Sequence, residues 1–262
     1  MFIVADNLTL SNPTILHNLK EKNKKFFYKF FENCQKFSDY IDINLGQTKK
    51  DISEIIKFIF KTLNEVGEFE IVIDTVNRDS IIECLKYCKN PPILNSFSKD
   101  EKKFQEIIPI AVENNLEVVA LIMDNHIPLT VDEKIILATE IVNVFTEAGI
   151  PFSKIILDPI VAPLGWENSS IYNQSNLEFI SMVKDAISPD IRTMMGFSNL
   201  TTGSTGKNRS VKKLDSIYMA MAFSRGIDFS LINIFDVNMQ NCINFIKILN
   251  NNLIFSPSMF NE

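Results

Sequence analysis

Glu117-Val118-Val119-Ala120-Leu121-Ile122-Met123 is an almost unbroken apolar run, and it is closed by Asp124. Such a run suits a strand buried on both faces, as in a parallel sheet covered by helices. Thr130 can then cap a helix reaching about residue 147, which Gly149 and Pro151 close. Lys154-Ile155-Ile156-Leu157 is the next strand, and it too ends in a carboxylate, at Asp158-Pro159. This strand–helix–strand unit, with a polar residue at each strand's C-terminal end, sets a pattern that the rest of the chain repeats.

Upstream, Phe2-Ile3-Val4 runs into Ala5-Asp6-Asn7, and Ser11-Asn12-Pro13 opens a helix expected to reach about residue 36. Tyr40-Ile41-Asp42-Ile43-Asn44-Leu45-Gly46 alternates apolar and polar residues before a glycine. The next helix, from about 51 to 66, carries Ile52, Ile55, Ile56, Ile59 and Phe60 on one stripe and stops at Gly67. Phe69-Glu70-Ile71-Val72-Ile73 ends in Asp74, and after a short helix around 80–87, Pro92-Ile93-Leu94 ends in Asn95-Ser96. A helix over about 103–114 leads back to the opening run. Downstream come a loop holding Trp166 and a helix near 177–186. The apolar run Ile191-Arg192-Thr193-Met194-Met195-Gly196 then leads into Phe197-Ser198-Asn199. A helix over 211–225, closed by Gly226, precedes the last strand, Leu231-Ile232-Asn233-Ile234, and a helix over about 237–250. About eight strand–helix alternations without a linker predict an α/β fold: one (β/α)8 TIM barrel as a single domain over residues 1–262. A doubly wound open sheet is the alternative, and no Gly-x-Gly-x-x-Gly favours it.

The net charge of −6 and pI near 5.1 argue against a nucleic-acid-binding surface. No apolar run is long enough to cross a bilayer and the N-terminus lacks a secretory signal, so a cytoplasmic protein is expected. Cys34, Cys84, Cys88 and Cys242 are scattered, and only His17 and His126 accompany them, so no metal site is expected. No Ser-His-Asp grouping and no phosphate loop is present. What stands out is the set of strand ends: Asp42 with Asn44, Asp74, Asn95, Asp124, Asp158, and Ser198 with Asn199. In a barrel these converge on one face. Each alone reads better as a solvated turn residue or helix cap. Together they suit a polar heterocycle rich in N–H groups.

Six segments then carry a resemblance: Ile41-Asp42-Ile43-Asn44-Leu45-Gly46, Ile73-Asp74-Thr75-Val76-Asn77, Leu94-Asn95-Ser96, Leu157-Asp158-Pro159, Gly196-Phe197-Ser198-Asn199 and Ala220-Met221-Ala222. In this order and spacing the chain resembles the pterin-binding barrel methyltransferases. The likeness is greatest to the methyltetrahydrofolate:corrinoid/iron–sulfur protein methyltransferases of the acetyl-CoA pathway, and more distant to the folate domain of cobalamin-dependent methionine synthase. The resemblance implies that Asp74, Asn95 and Asp158 hold the pterin ring and that Gly196 and Ser198 shape its floor. Asn199 would reach N5 and, with Asp74, count as catalytic, while Thr202 and Arg209 would touch the folate. It further implies methyltetrahydrofolate as methyl donor, Co(I) of a corrinoid (cobalamin) carried by a partner protein as acceptor, and a homodimer. Ala5-Asp6-Asn7-Leu8-Thr9 stands where that family has Gly-Glu-Arg-x-Asn. Two other readings remain open at this point: a non-catalytic barrel subunit that binds a corrinoid protein, and dihydropteroate synthase.

Overall fold

The computed structural model describes residues 1–46, 52–98, 102–203, 209–254 and 256. Eight parallel strands close on themselves in sequence order: β1 (Phe2–Thr9), β2 (Tyr40–Asn44), β3 (Glu70–Asp74), β4 (Ile93–Phe97), β5 (Glu117–Leu121), β6 (Ile155–Asp158), β7 (Arg192–Gly196) and β8 (Phe229–Ile232). β8 pairs back onto β1, with Phe2 beside Phe229 and Ala5 beside Ile232. The fold is a (β/α)8 TIM barrel. Its helices are α1 (Pro13–Lys20), α2 (Lys24–Phe37), α3 (Ser53–Val66), α4 (Arg78–Leu85), α5 (Lys102–Glu113), α6 (Val131–Glu147), α7 (Ser169–Ala186), α8 (Lys213–Ser224) and α9 (Val237–Leu249).

Two cores follow from the period of two along each strand. Residues such as Ile3, Ile41, Ile71, Ile73, Val118 and Leu157 point outward, and pack with helix residues including Phe27, Ile56 and Ile141. Those of opposite parity point inward. Val4, Tyr40, Val72, Ile93, Val119, Ile156, Met194 and Phe229, one from each strand, pack together inside the barrel. That apolar layer plugs the barrel and forms the base on which anything at its C-terminal mouth must rest.

Local chemistry explains most boundaries. Thr130 and Glu133 form a reciprocal capping box at the start of α6, and Gly149 follows its end at φ +99°. Asn12 caps α1 with Pro13 in the first turn. Four expectations are corrected. The single helix expected from Pro13 to about residue 36 is two: Lys22 turns to φ +49°, and the Asn23 side chain accepts from Phe26 N to start α2. β1 runs on to Thr9 through an irregularity between Ala5 and Leu8, so Asp6 and Asn7 lie within the strand. β5 stops at Leu121, which puts Asp124 in the following loop, where its carboxylate accepts from His126 N. α7 begins at Ser169, well before the expected 177, because its first turns bury polar rather than apolar residues: Ser169, Asn173, Ser175 and Asn176. Among the described residues no helix is long and apolar enough to cross a membrane.

Candidate functional site

Two residues beyond each member of the inner apolar layer, the strands present a second inward layer. It comprises Asp6, Asp42, Asp74, Asn95, Leu121, Asp158, Gly196 and Leu231. The parity that puts Val72 inside puts Asp74 inside as well, and the same step links Ile93 to Asn95, Ile156 to Asp158 and Met194 to Gly196. The strand-end residues expected to hold a ligand are thus brought to one ring around the barrel axis. Register confirms their adjacency on the β2–β3–β4 side, where Asn44 sits beside Asp74 and Asp74 beside Asn95.

The contacts are mostly internal to the ring. Asn44 donates through Nδ2 to Asp74 Oδ2. Asn95 donates to Asp42, which is itself almost fully buried. Ser198 Oγ donates to Asp6 Oδ2 at 2.8 Å, joining the end of β7 to β1 across the barrel's closure. Asn7 accepts from Ile234 N at 3.0 Å and donates to Asn233 Oδ1 at 2.7 Å, pinning β1 to the chain beyond β8. Asp158 Oδ1 accepts from Ile160 N at 2.8 Å.

Burial of so many carboxylates has an electrostatic consequence. Desolvation disfavours the charged form and lifts the pKa. It pushes Asp74 up to about 6 against the bond from Asn44. Asp158 rises to about 6 against its bond from Ile160 and the attraction of Lys134. Asp6 also rises to about 6, against the bond from Ser198 and the charge of Lys212. Asp42 is raised well above the usual carboxylate range, by burial first and then by the negative charges of Asp74 and Asp6. The shift favours its neutral form, and its Oδ1 has no hydrogen-bond partner among the described residues. The ring holds several acceptors and few donors. A ligand with N–H and amino groups along one edge would satisfy it, and an anion would be repelled.

Asn199 lies in a 3-10 turn (Phe197–Asn199) just above Gly196 and is exposed. A Cβ on Gly196 would come within 3.1 Å of Asn199 Nδ2, so the glycine leaves the room in which that amide rests. Thr202 is exposed and donates from Oγ1 to Ser198 O, bracing the turn from outside rather than entering the ring. The Arg209 side chain lies outside the described residues. Sequence reading put Asp6 and Asn7 at the end of the first strand, where either could offer a substitute hydrogen bond, and counted Asp42 and Asn44 among the polar strand ends without giving them a pterin contact. The signal available for the last two was the alternation Asp42-Ile43-Asn44, which puts both on the inner face.

The profile of the pterin-binding enzyme family matches residues 36–233. That span takes in Asp42 through Leu231 of the ring and leaves out Asp6, in keeping with the unusual sequence of β1. A methylcorrinoid:tetrahydrofolate methyltransferase of Eubacterium limosum is 25% identical over 238 residues, covering 89% of this chain and 85% of that protein. Among solved structures, dihydropteroate synthase from Clostridium difficile, obtained in the presence of pteroic acid, superposes with TM-score 0.68 at 14% identity. The match covers 95% of this chain and 96% of that one. The Yersinia pestis enzyme with a pterin–sulfa conjugate gives 0.69 at 15% identity over 96% and 94%. At such identities these two structures speak to the fold alone. With the family profile spanning most of the barrel and its polar ring, the chain belongs to the pterin-binding enzymes.

Proposed function

We propose that this chain moves a methyl group between N5 of tetrahydrofolate and the cobalt of a corrinoid carried by a partner protein. The observation that carries the reading is the ring itself: Asp74, Asn95 and Asp158 present acceptors inward, over an apolar base, with the Asn199 amide at the rim. The Eubacterium limosum relative, named for methyl transfer from a methylcorrinoid to tetrahydrofolate, supports the choice of chemistry within the family. In the forward reading the N5–CH3 bond breaks, Co(I) takes the methyl, and N5 keeps the electron pair and gains a proton. In the reverse, N5 loses its proton and takes the methyl. The same groups serve both directions.

The methyl on a tertiary amine is a poor electrophile, because its leaving group would be a strongly basic amide anion. Proton assistance at N5 typically contributes roughly 10²–10⁴-fold. Asn199 donates a hydrogen bond there but has no proton to release, so the proton exchanges with solvent. Asp74, whose carboxyl titrates at about 6, is suited to pass it. A bond from Asn199 that tightens as charge develops on N5 favours the transition state over the ground state. In this reading Gly196 and Ser198 shape the floor, and Thr202 and Arg209 are assigned to the folate by the family likeness alone. Cobalt does the nucleophilic chemistry and belongs to the partner protein. A cytoplasmic homodimer completes the reading. The dimer half of this has support in an apolar face on which Leu214, Ile217 and Met221 of α8 stand exposed beside Phe245 and Leu249 of α9.

The test is methyl transfer between methyltetrahydrofolate and reduced cobalamin or a corrinoid protein, followed by the absorbance of the cobalt centre, with folate binding measured in parallel. Turnover in either direction supports the proposal. Folate binding without turnover favours a non-catalytic barrel subunit, and a folded protein that binds no folate at millimolar concentration overturns the methyl-transfer reading.

A further inference from the structure

α6 sends a lysine into the wall of the barrel. Lys134 is fully buried, directly after Glu133 of the capping box and one turn beyond Thr130. Its Nζ donates to Asn176 Oδ1 at 2.6 Å, reaches Tyr172 O at 3.5 Å, and lies 5.8 Å from the centre of the Tyr172 ring. These hydrogen-bond partners are neutral. A buried ammonium without a carboxylate in contact costs several kcal/mol, and a leucine or methionine would fill the same space without that cost.

The bonds that leave this lysine end in the ring. Asn176 uses both sides of its amide: Oδ1 accepts from Lys134, and Nδ2 donates to Ile160 O at 2.9 Å. Ile160 N in turn donates to Asp158 Oδ1 at 2.8 Å. Ile160 holds φ +64°, a conformation β-branched residues rarely adopt, so this turn is fixed by the two bonds on either side of it. Tyr218 closes the back of the cluster, donating to Asn173 O at 2.8 Å.

We propose that Lys134 is a positioning residue for Asp158: through Asn176 it fixes the Ile160 turn that aims the carboxylate, and its charge keeps that carboxylate ionised towards a bound pterin. The pterin half of this statement rests on the function proposed above; the effect on Asp158 does not.

The other groups facing the pair are few. Glu133 precedes Lys134 on α6 and accepts from Leu129 N and Thr130 N. On α7 the Tyr172 ring faces Lys134. On α8 the Tyr218 phenol is raised by burial and stays neutral. Burial lowers Lys134 to about 8, opposed by the charges of Asp158 and Glu133, while Asp158 is raised to about 6. Both groups are therefore ionised between these two values, and there the lysine supports Asp158 by charge.

The test follows the Asp158 carboxyl by 13C NMR in the folate-free protein, the signal assigned with Asp158→Asn. Lys134→Gln keeps a donor for Asn176 and removes the charge, Lys134→Met removes both, and Lys134→Arg keeps the charge. The expected result in Lys134→Gln is a threefold to tenfold rise in the proton affinity of Asp158, roughly what loss of one nearby charge produces. Lys134→Arg should keep the wild-type midpoint. Tetrahydrofolate affinity should fall by a similar factor at about pH 6 and converge with wild type at about pH 9, where Asp158 is ionised in both proteins. An unchanged Asp158 midpoint in Lys134→Gln and Lys134→Met overturns the proposal, as does an affinity loss equal at every pH. If wild type binds no folate, the pterin reading fails, and the Asp158 midpoint still decides the role of Lys134.

Discussion

The Asn199 amide stands at the rim of the acceptor ring, with Gly196 leaving it space. If it engages N5 chiefly as charge develops, Asn199→Ala should slow single-turnover methyl transfer by roughly 10²-fold while changing folate affinity much less. Equal losses in rate and affinity would place the amide in ground-state binding instead. Asp158→Ala and Asn95→Ala should act on affinity directly, weakening folate binding by about 1–3 kcal/mol each in a calorimetric titration, the usual result of leaving a buried donor unpaired. The ring carboxylates also predict a pH dependence of the folate-free protein. Asp6, Asp74 and Asp158 have folded pKa values of about 6 against a reference of 3.8. Between those limits the native state holds more protons than the unfolded chain, so stability falls as pH rises through this window and is regained on acidification towards the reference value of 3.8. Asp74→Asn, which cannot ionise, should raise stability at pH 7 by about 1–2 kcal/mol in denaturant titrations and weaken folate binding. A less stable Asp74→Asn protein would show that the bond from Asn44 outweighs the desolvation of the carboxylate.

At the scale of elements, α6 and α7 matter more to the ring than their places on the outside of the barrel suggest. α6 starts at the Thr130–Glu133 capping box and buries Lys134 one turn beyond Thr130. α7 starts with amides that hold the preceding loop: Asn173 donates to Ala162 O at 2.8 Å and accepts from Ala162 N, while Asn176 takes Ile160. Thr130→Ala should cost about 0.5–2 kcal/mol of stability in a urea titration, as loss of an N-cap generally does. Because Glu133 also holds Leu129 N and Thr130 N, the loss belongs at the lower end of that range. A neutral result would mean that Glu133 alone holds the first turn.

For the molecule as a whole, the exposed stripe on α8 is where the proposed homodimer would form. Leu214, Ile217 and Met221 recur at helical spacing, and grooves run on both sides of them, towards Leu164 and Leu177 in one direction and Phe245 and Leu249 in the other. A contiguous apolar face of this kind marks an interaction surface. Ile217→Glu should convert a dimer to a monomer in sedimentation velocity while leaving folate affinity within about twofold, since α8 turns this stripe away from the ring. Wild type that sediments as a monomer at all concentrations would remove the homodimer.

The barrel was legible in the amino-acid sequence because strands covered by helices must be apolar on both faces. Val118 to Leu121, Ile71 to Ile73 and Ile155 to Leu157 read as such strands, and about eight strand–helix alternations favoured the barrel over a doubly wound sheet. Asp74, Asn95 and Asp158 were visible as polar strand ends and were named as pterin contacts by the resemblance; period two along their strands is what turns them inward. The tertiary structure alone decided what those residues do to one another. Asp42 is pushed towards its neutral form by burial inside the closed barrel and then by Asp74 and Asp6, which come from other strands, and Ser198 meets Asp6 only because β8 closes onto β1. The early start of α7 was hidden for a related reason. Its buried face is built from Asn and Ser whose partners lie in the β6–α7 loop, and a hydrogen bond across a fold leaves no periodic trace in the chain that makes it.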